Sequence, residues 1–163
     1  MTATHDATLS VARYSLAMMR AAVEGLPEPA LEWTPASGMN SLAVHVEHGI
    51  VATRFWARCG TGEAGSLARF RAEEREASFR VKGLSAIDLL AHIDAFEAEL
   101  AELLESGVPA HLEAWVAWPE VPGMERSGAT CLIHAVAHLR EHVGHAQAVR
   151  DLWMATGPQN SWR

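Results

Sequence analysis

The stretch His134-Ala-Val-Ala-His138-Leu-Arg-Glu-His142-Val-Gly-His145 places four histidines at helical spacing. Steps of four residues advance about 40° beyond a full helical turn, and a step of seven falls about 20° short of two turns. All four imidazoles therefore share one stripe. Leu132, Ile133, Val136, Leu139, Val143 and Val149 surround it with apolar residues, which predicts a long, packed helix from about Ser127 to Trp153. Each buried, unpartnered ring nitrogen would cost roughly 1–3 kcal/mol. One bound cation satisfies several of them together, and neutral imidazole is a common ligand of zinc, nickel, copper and iron. A single helical turn supplies two ligands, so a third must come from elsewhere. His45-Val-Glu-His48, upstream in another apolar and helix-like segment, offers two choices.

Working outward, three more helices are predicted. Leu9, Ala12, Leu16, Met19 and Val23 recur at helical spacing between Thr4 and Glu24, with Thr4 or Asp6 as the cap. Pro27, Pro29 and Pro35 make the following segment a connector. Asn40 or Ser41 then caps a second helix running through Val44, His48, Val51 and Phe55 to about Cys59. Residues 60–83 contain the mixed-sign run Arg69 to Arg80 and read as a solvated loop with room for a short helix. Ser85-Ala-Ile-Asp88 resembles a capping box and opens a third helix through Leu89, Ile93, Phe96, Leu100, Leu103 and Leu104, ended by Gly107 and Pro109. Residues 108–127 form a long connection with a short strand or turn. Four amphipathic segments without a convincing strand pair predict an all-α fold, a four-helix bundle. The connectors are too long for a simple up-and-down series, so crossover connections are expected.

At 163 residues the chain suits one domain spanning 1–163. Its formal charge of -7 excludes the clustered basic surface that nucleic acid or an anionic membrane would need. No run of about 18 apolar residues spans a membrane, and the N-terminus lacks the basic region of a signal peptide, so a cytoplasmic location is expected. Cys59 and Cys131 are too few for a disulfide framework and read as buried thiols. Several of the tryptophans Trp33, Trp56, Trp115, Trp118, Trp153 and Trp162, with the long apolar connectors, exceed what such a bundle readily buries, which predicts a homodimer. His138-Leu-Arg-Glu-His142 matches the His-x-x-Glu-His signature of inverted zinc peptidases. Such enzymes need a further acidic ligand well downstream, and only Asp151 and the terminus follow Glu141. Glu47 and Glu141 lack the Glu-x-x-His relation of a di-iron bundle, and no serine elbow or glycine-rich phosphate loop is present.

Asn40-Ser-Leu-Ala-Val-His-Val-Glu-His48, followed eight residues later by Trp56, resembles the second helix of the DinB-like (YfiT-like) superfamily. The stretch His134 to Arg150 resembles that family's last helix, with its His-x-x-x-His pair and later arginine, and Trp33-Thr-Pro35 is similar to the first connector. The resemblance covers most of the chain in the same order. It implies an up-down-down-up four-helix bundle holding a divalent metal on His48, His138 and His142. His45, His134 and His145 then become surrounding or pocket residues. The chain has His142-Val-Gly-His145 where the commonest family form is His-Arg-Gly-Gln, and this form resembles one branch of the superfamily.

Three neutral histidines leave coordination positions open on a divalent ion, zinc or nickel, as in catalytic sites. The family's known members include thiol-dependent transferases and a maleylpyruvate isomerase that use mycothiol, bacillithiol or glutathione. The first expectation is therefore a metal-dependent S-transferase or isomerase acting on a small-molecule substrate with a low-molecular-weight thiol. A hydrolase on the same ligands and a non-catalytic metal or ligand-binding module are the alternatives. His134 and His145 are the candidates for proton transfer.

Overall fold

The computed structural model describes residues 1–157, so Trp162 and the rest of the tail lie outside the described residues. Helix α1 (Ala3–Val23) opens on Thr2, whose Oγ1 accepts from the His5 N–H at 3.2 Å. The cap precedes the expected Thr4 or Asp6 because the buried face begins with the polar residues His5 and Thr8, which an apolar pattern does not reveal. Within the proline-rich connector lies α2 (Glu28–Glu32), with proline in its first turn, where no intrahelical N–H bond is lost. Helix α3 (Leu42–Thr61) is capped by Ser41 and ends at Gly62, whose φ of 98° closes the helix in the left-handed region.

The segment expected to be a solvated loop with room for a short helix is helical over 67–78: α4 (Leu67–Phe70), one π-helical turn over Arg71–Arg75, and α5 (Glu76–Ser78). Leu67 and Phe70 are buried and anchor it to the core, while the charged residues between them and Ser78 stay outside. Helix α6 (Ala86–Ser106) carries a complete capping box, with the Asp88 N–H donating to Ser85 Oγ at 3.2 Å and the Ser85 N–H donating to Asp88 Oδ2 at 2.9 Å. The next connection holds α7 (Ala110–Glu113) and a two-stranded ladder in which β1 (Trp115–Val116) pairs antiparallel with β2 (Arg126–Ser127). Ser127 then caps α8 (Gly128–Thr156) through the Thr130 N–H.

The long helices close a ring in which α3 and α1 each lie between α8 and α6. Side-chain contacts give the directions. His5 meets the Gly107 end of α6 and Arg20 pairs with Asp94, so α1 and α6 are antiparallel. Glu47 bonds His92 and Arg54 pairs with Glu99, so α3 and α6 run together. Gly49 abuts His142 and Gly60 abuts Leu132, so α3 and α8 are antiparallel. These directions describe the up-down-down-up order. No helix among the described residues is long and apolar enough to cross a membrane.

Among the described residues nearly all the buried apolar side chains join one cluster, including Leu16, Met19, Leu31, Phe96, Leu132 and Leu139. Two glycines set the α3–α8 approach. A Cβ at Gly49 would lie 3.2 Å from His142 Cβ, and one at Gly60 would lie 2.5 Å from Leu132 Cδ2 and 2.9 Å from the Gly128 carbonyl oxygen. Two expectations change. Ile133 is 63% exposed rather than part of the packed surround of the stripe. Of the tryptophans described, Trp56, Trp118 and Trp153 are buried, Trp33 packs on the core and Trp115 alone is exposed, so surplus tryptophan no longer argues for a homodimer.

Candidate metal centre

The close α3–α8 contact brings the two histidine-bearing segments face to face. One ring nitrogen each from His48, His138 and His142 all lie within 4.8 Å of one another, and the same holds for His45, His142 and His145. The ring centroids of the first set are separated by 5.2, 4.8 and 4.6 Å. Among the described residues both clusters consist of histidine alone, without the carboxylate ligand of the rejected peptidase pattern. Glu141 is exposed and belongs to neither cluster, although it lies close enough for its charge to act on His134 and His138.

The two clusters differ in their surroundings. His48 Nδ1 stands 2.9 Å from Ser78 Oγ, and that hydroxyl gives its single proton to the Arg75 carbonyl oxygen at 2.7 Å. Ser78 must then accept from His48 Nδ1–H, which leaves the lone pair on Nε2. Phe79 stacks on the same ring at a centroid distance of 4.2 Å. A ligand histidine whose other nitrogen donates to a fixed oxygen is oriented for coordination. His142 Nδ1 lies 3.2 Å from His45 Nδ1, and with His142 as donor its Nε2 is likewise free. His138 Nδ1 is buried without a hydrogen-bond partner among the described residues. An orphaned nitrogen in an all-imidazole cluster is what a bound cation would satisfy, so the donor set fits a divalent metal. In the second cluster His145 is exposed.

Burial, followed by the neighbouring His138, pushes the His48 pKa down to about 4, and burial pushes His45 to about 4 and His142 to about 3. His134 and His138 are lowered in the same way. All five are therefore neutral near physiological pH, the form in which imidazole ligates.

His48, His138 and His134 line one open cavity of about 210 Å³, whose walls also carry Trp56, Phe70 and Arg126. It is smaller than the clefts of roughly 300–1,000 Å³ that enclose drug-sized ligands, so what it holds is compact or only partly enclosed. His134 sits edge-on against Trp56 at 4.6 Å and 6.1 Å from the His138 ring. His145 is not part of this cavity; its ring lies tilted beside that of His45 at 5.0 Å.

The sequence pattern of the DinB superfamily matches residues 13–146. The chain belongs to the DinB superfamily. The match takes in every histidine of the cluster, and DinB-like proteins are metal-binding. No curated protein matches the chain. In this DinB-superfamily protein the spacing of the histidines brought out the cluster, whereas Ser78, Phe79 and Arg126 lay hidden. The first two fall in a charged run and the third in a long connector, and neither segment has a periodicity to mark them.

Proposed function

We propose that this DinB-superfamily chain is a divalent-metal-dependent enzyme that holds zinc or nickel on His48, His138 and His142 and catalyses thiol-dependent S-transfer or isomerisation of a small molecule. The observation carrying this reading is the convergence of those three rings beside an open cavity, with His48 fixed by Ser78 and His138 Nδ1 orphaned. A bound divalent ion lowers the pKa of a thiol or water and polarises a carbonyl. The protein's residues supply the remainder. His134, neutral and on the cavity wall, can accept a proton from the incoming nucleophile and return it to the product. Trp56 and Phe70 exclude water from one side of the cavity.

The sulfur is not the chain's own, because burial pushes Cys59 to about 12 and Cys131 to about 11, keeping both as inert thiols. This favours an external low-molecular-weight thiol. Hydrolysis uses the same residues with water in the thiol's place, and His134 serves it equally.

The test is metal analysis of untagged protein together with turnover of electrophiles with and without thiol. His138→Ala should lose the metal and retain its helical circular dichroism, since the core of α1, α3, α6 and α8 survives truncation of one partly exposed ring. His145→Ala should keep the metal. Full occupancy in His138→Ala, or metal loss in His145→Ala, sinks the ligand assignment. Turnover without thiol moves the reading to hydrolysis, and none under either condition moves it to a binding module.

A further inference from the structure

The cavity beside the histidine cluster carries an electrostatic signature opposite to that of the chain. The protein has a formal charge of -7, yet Arg71, Arg75 and Arg126 line this cavity and no aspartate or glutamate does. Arg75 pairs with Glu76 at 3.3 Å and lies over Phe79. Arg71 and Arg126 have no carboxylate partner among the described residues, in a protein whose other arginines include the paired Arg13, Arg20, Arg54, Arg58 and Arg69.

Arg126 is the more telling. It is half-buried on β2, its guanidinium carbon 5.7 Å from the centre of the Trp56 ring, and among the described residues the side chain's only hydrogen bond is a long one from Nη2 to Met124 Sδ. Its Nε is buried without a hydrogen-bond partner among the described residues. Stacking on Trp56 accounts for the face of the guanidinium but not for its N–H edge. Leaving such a donor unsatisfied is costly unless something else fills the place. A planar fork of N–H donors matches a carboxylate.

The geometry points to an anion-recognition site: Arg126, assisted by Arg71, binds the carboxylate of a small molecule whose reacting part faces the histidine cluster. This rests on the reading of the cavity as the active site. Trp56 and Phe70 supply an apolar wall for the ligand's body, and Arg126 fixes its orientation relative to His134 and His138. The chain thereby discriminates carboxylic acids from neutral isosteres, in which the N–H edge of Arg126 stays unpaired.

Saturation-transfer NMR with benzoate and succinate, against benzamide and succinamide, tests this on metal-free and zinc-loaded protein. Both acids should bind in preference to their amides in both forms. Arg126→Gln should weaken acid binding about tenfold, the loss of one charge-assisted contact, and Arg71→Gln should weaken it less. Arg13→Gln, which removes the same charge on α1, should change nothing. Acids and amides binding alike, no acid binding, or acid binding indifferent to both Arg126→Gln and Arg71→Gln would overturn the site. Acid binding that needs zinc and ignores Arg126 places the carboxylate on the ion, which removes this inference and leaves the metal reading standing. Acid binding by a protein that takes up no metal does the reverse. Displacement of benzoate by glutathione but not by its diethyl ester assigns the carboxylate to the thiol; displacement by neither assigns it to the second substrate.

Discussion

Ser78 is buried, and its hydroxyl has two duties: it takes the proton of His48 Nδ1 and passes its own to the Arg75 carbonyl. Ser78→Ala keeps the volume of the site nearly unchanged but frees the imidazole to rotate and to change tautomer. We expect metal affinity to fall about 10- to 100-fold, the usual effect of losing such an outer partner, with stoichiometry unchanged. Competition with a chromophoric chelator measures this, and equal affinity in the variant would show that Ser78 does not orient His48. At this scale the sequence discloses only part of the site. Histidines at helical spacing are visible because a helix maps spacing onto direction, so His134, His138, His142 and His145 could be placed on one stripe without coordinates. Ser78 and Arg126 reach the cluster through tertiary geometry, across 30 positions in the case of Ser78 and His48, and no local pattern encodes such a meeting.

Among the elements, the long helices were legible because each has a stop and start that acts locally: Ser41, Ser85 and Ser127 cap through their own side chains, and Gly62 closes α3 with positive φ. The short helices were not. Elements α2, α4, α5 and α7 span three to five residues each, too few to stand without the packing of residues such as Leu31, Leu67 and Phe70. The glycines of α3 act on the scale of a helix pair. At Gly60 the added methyl of Gly60→Ala would meet the Leu132 side chain and, less yieldingly, the Gly128 carbonyl. Pushing α3 from α8 there should cost about 1–3 kcal/mol, outweighing the helical preference for alanine over glycine of about 1 kcal/mol. Urea unfolding reads the difference, and a variant as stable as the parent would mean that the interface yields freely at this point.

For the molecule as a whole, the depressed histidines make the metal-free protein sensitive to acid. In the unfolded chain His45, His48 and His142 return to a pKa of about 6.5. Folded, they are held near 4, 4 and 3, chiefly by burial. Between these limits the unfolded chain binds more protons, so stability falls as pH falls. Denaturant unfolding of metal-free protein should therefore show stability lost progressively from about pH 6.5 towards pH 4, each unit of depression being worth about 1.4 kcal/mol at most. A flat profile across that window would mean the rings protonate without resistance. Association is a separate proposal. Tyr14, Trp115 and Ile133 are exposed apolar side chains that a homodimer could cover, and light scattering giving monomer mass at micromolar concentrations would remove it.

The α3–α8 pairing has a consequence for how the protein is made. The hydrogen bonds across this pairing join residues 82 to 97 positions apart, Thr53 with Ala135 and His45 with His142. During synthesis α3 leaves the ribosome long before its main partner exists. Its glycine-lined face and buried imidazoles wait in water until α8 (Gly128–Thr156) has been translated. Helix α6 emerges earlier, but it packs along the other side of α3, against Glu47, Arg54 and Arg58, and leaves that face open.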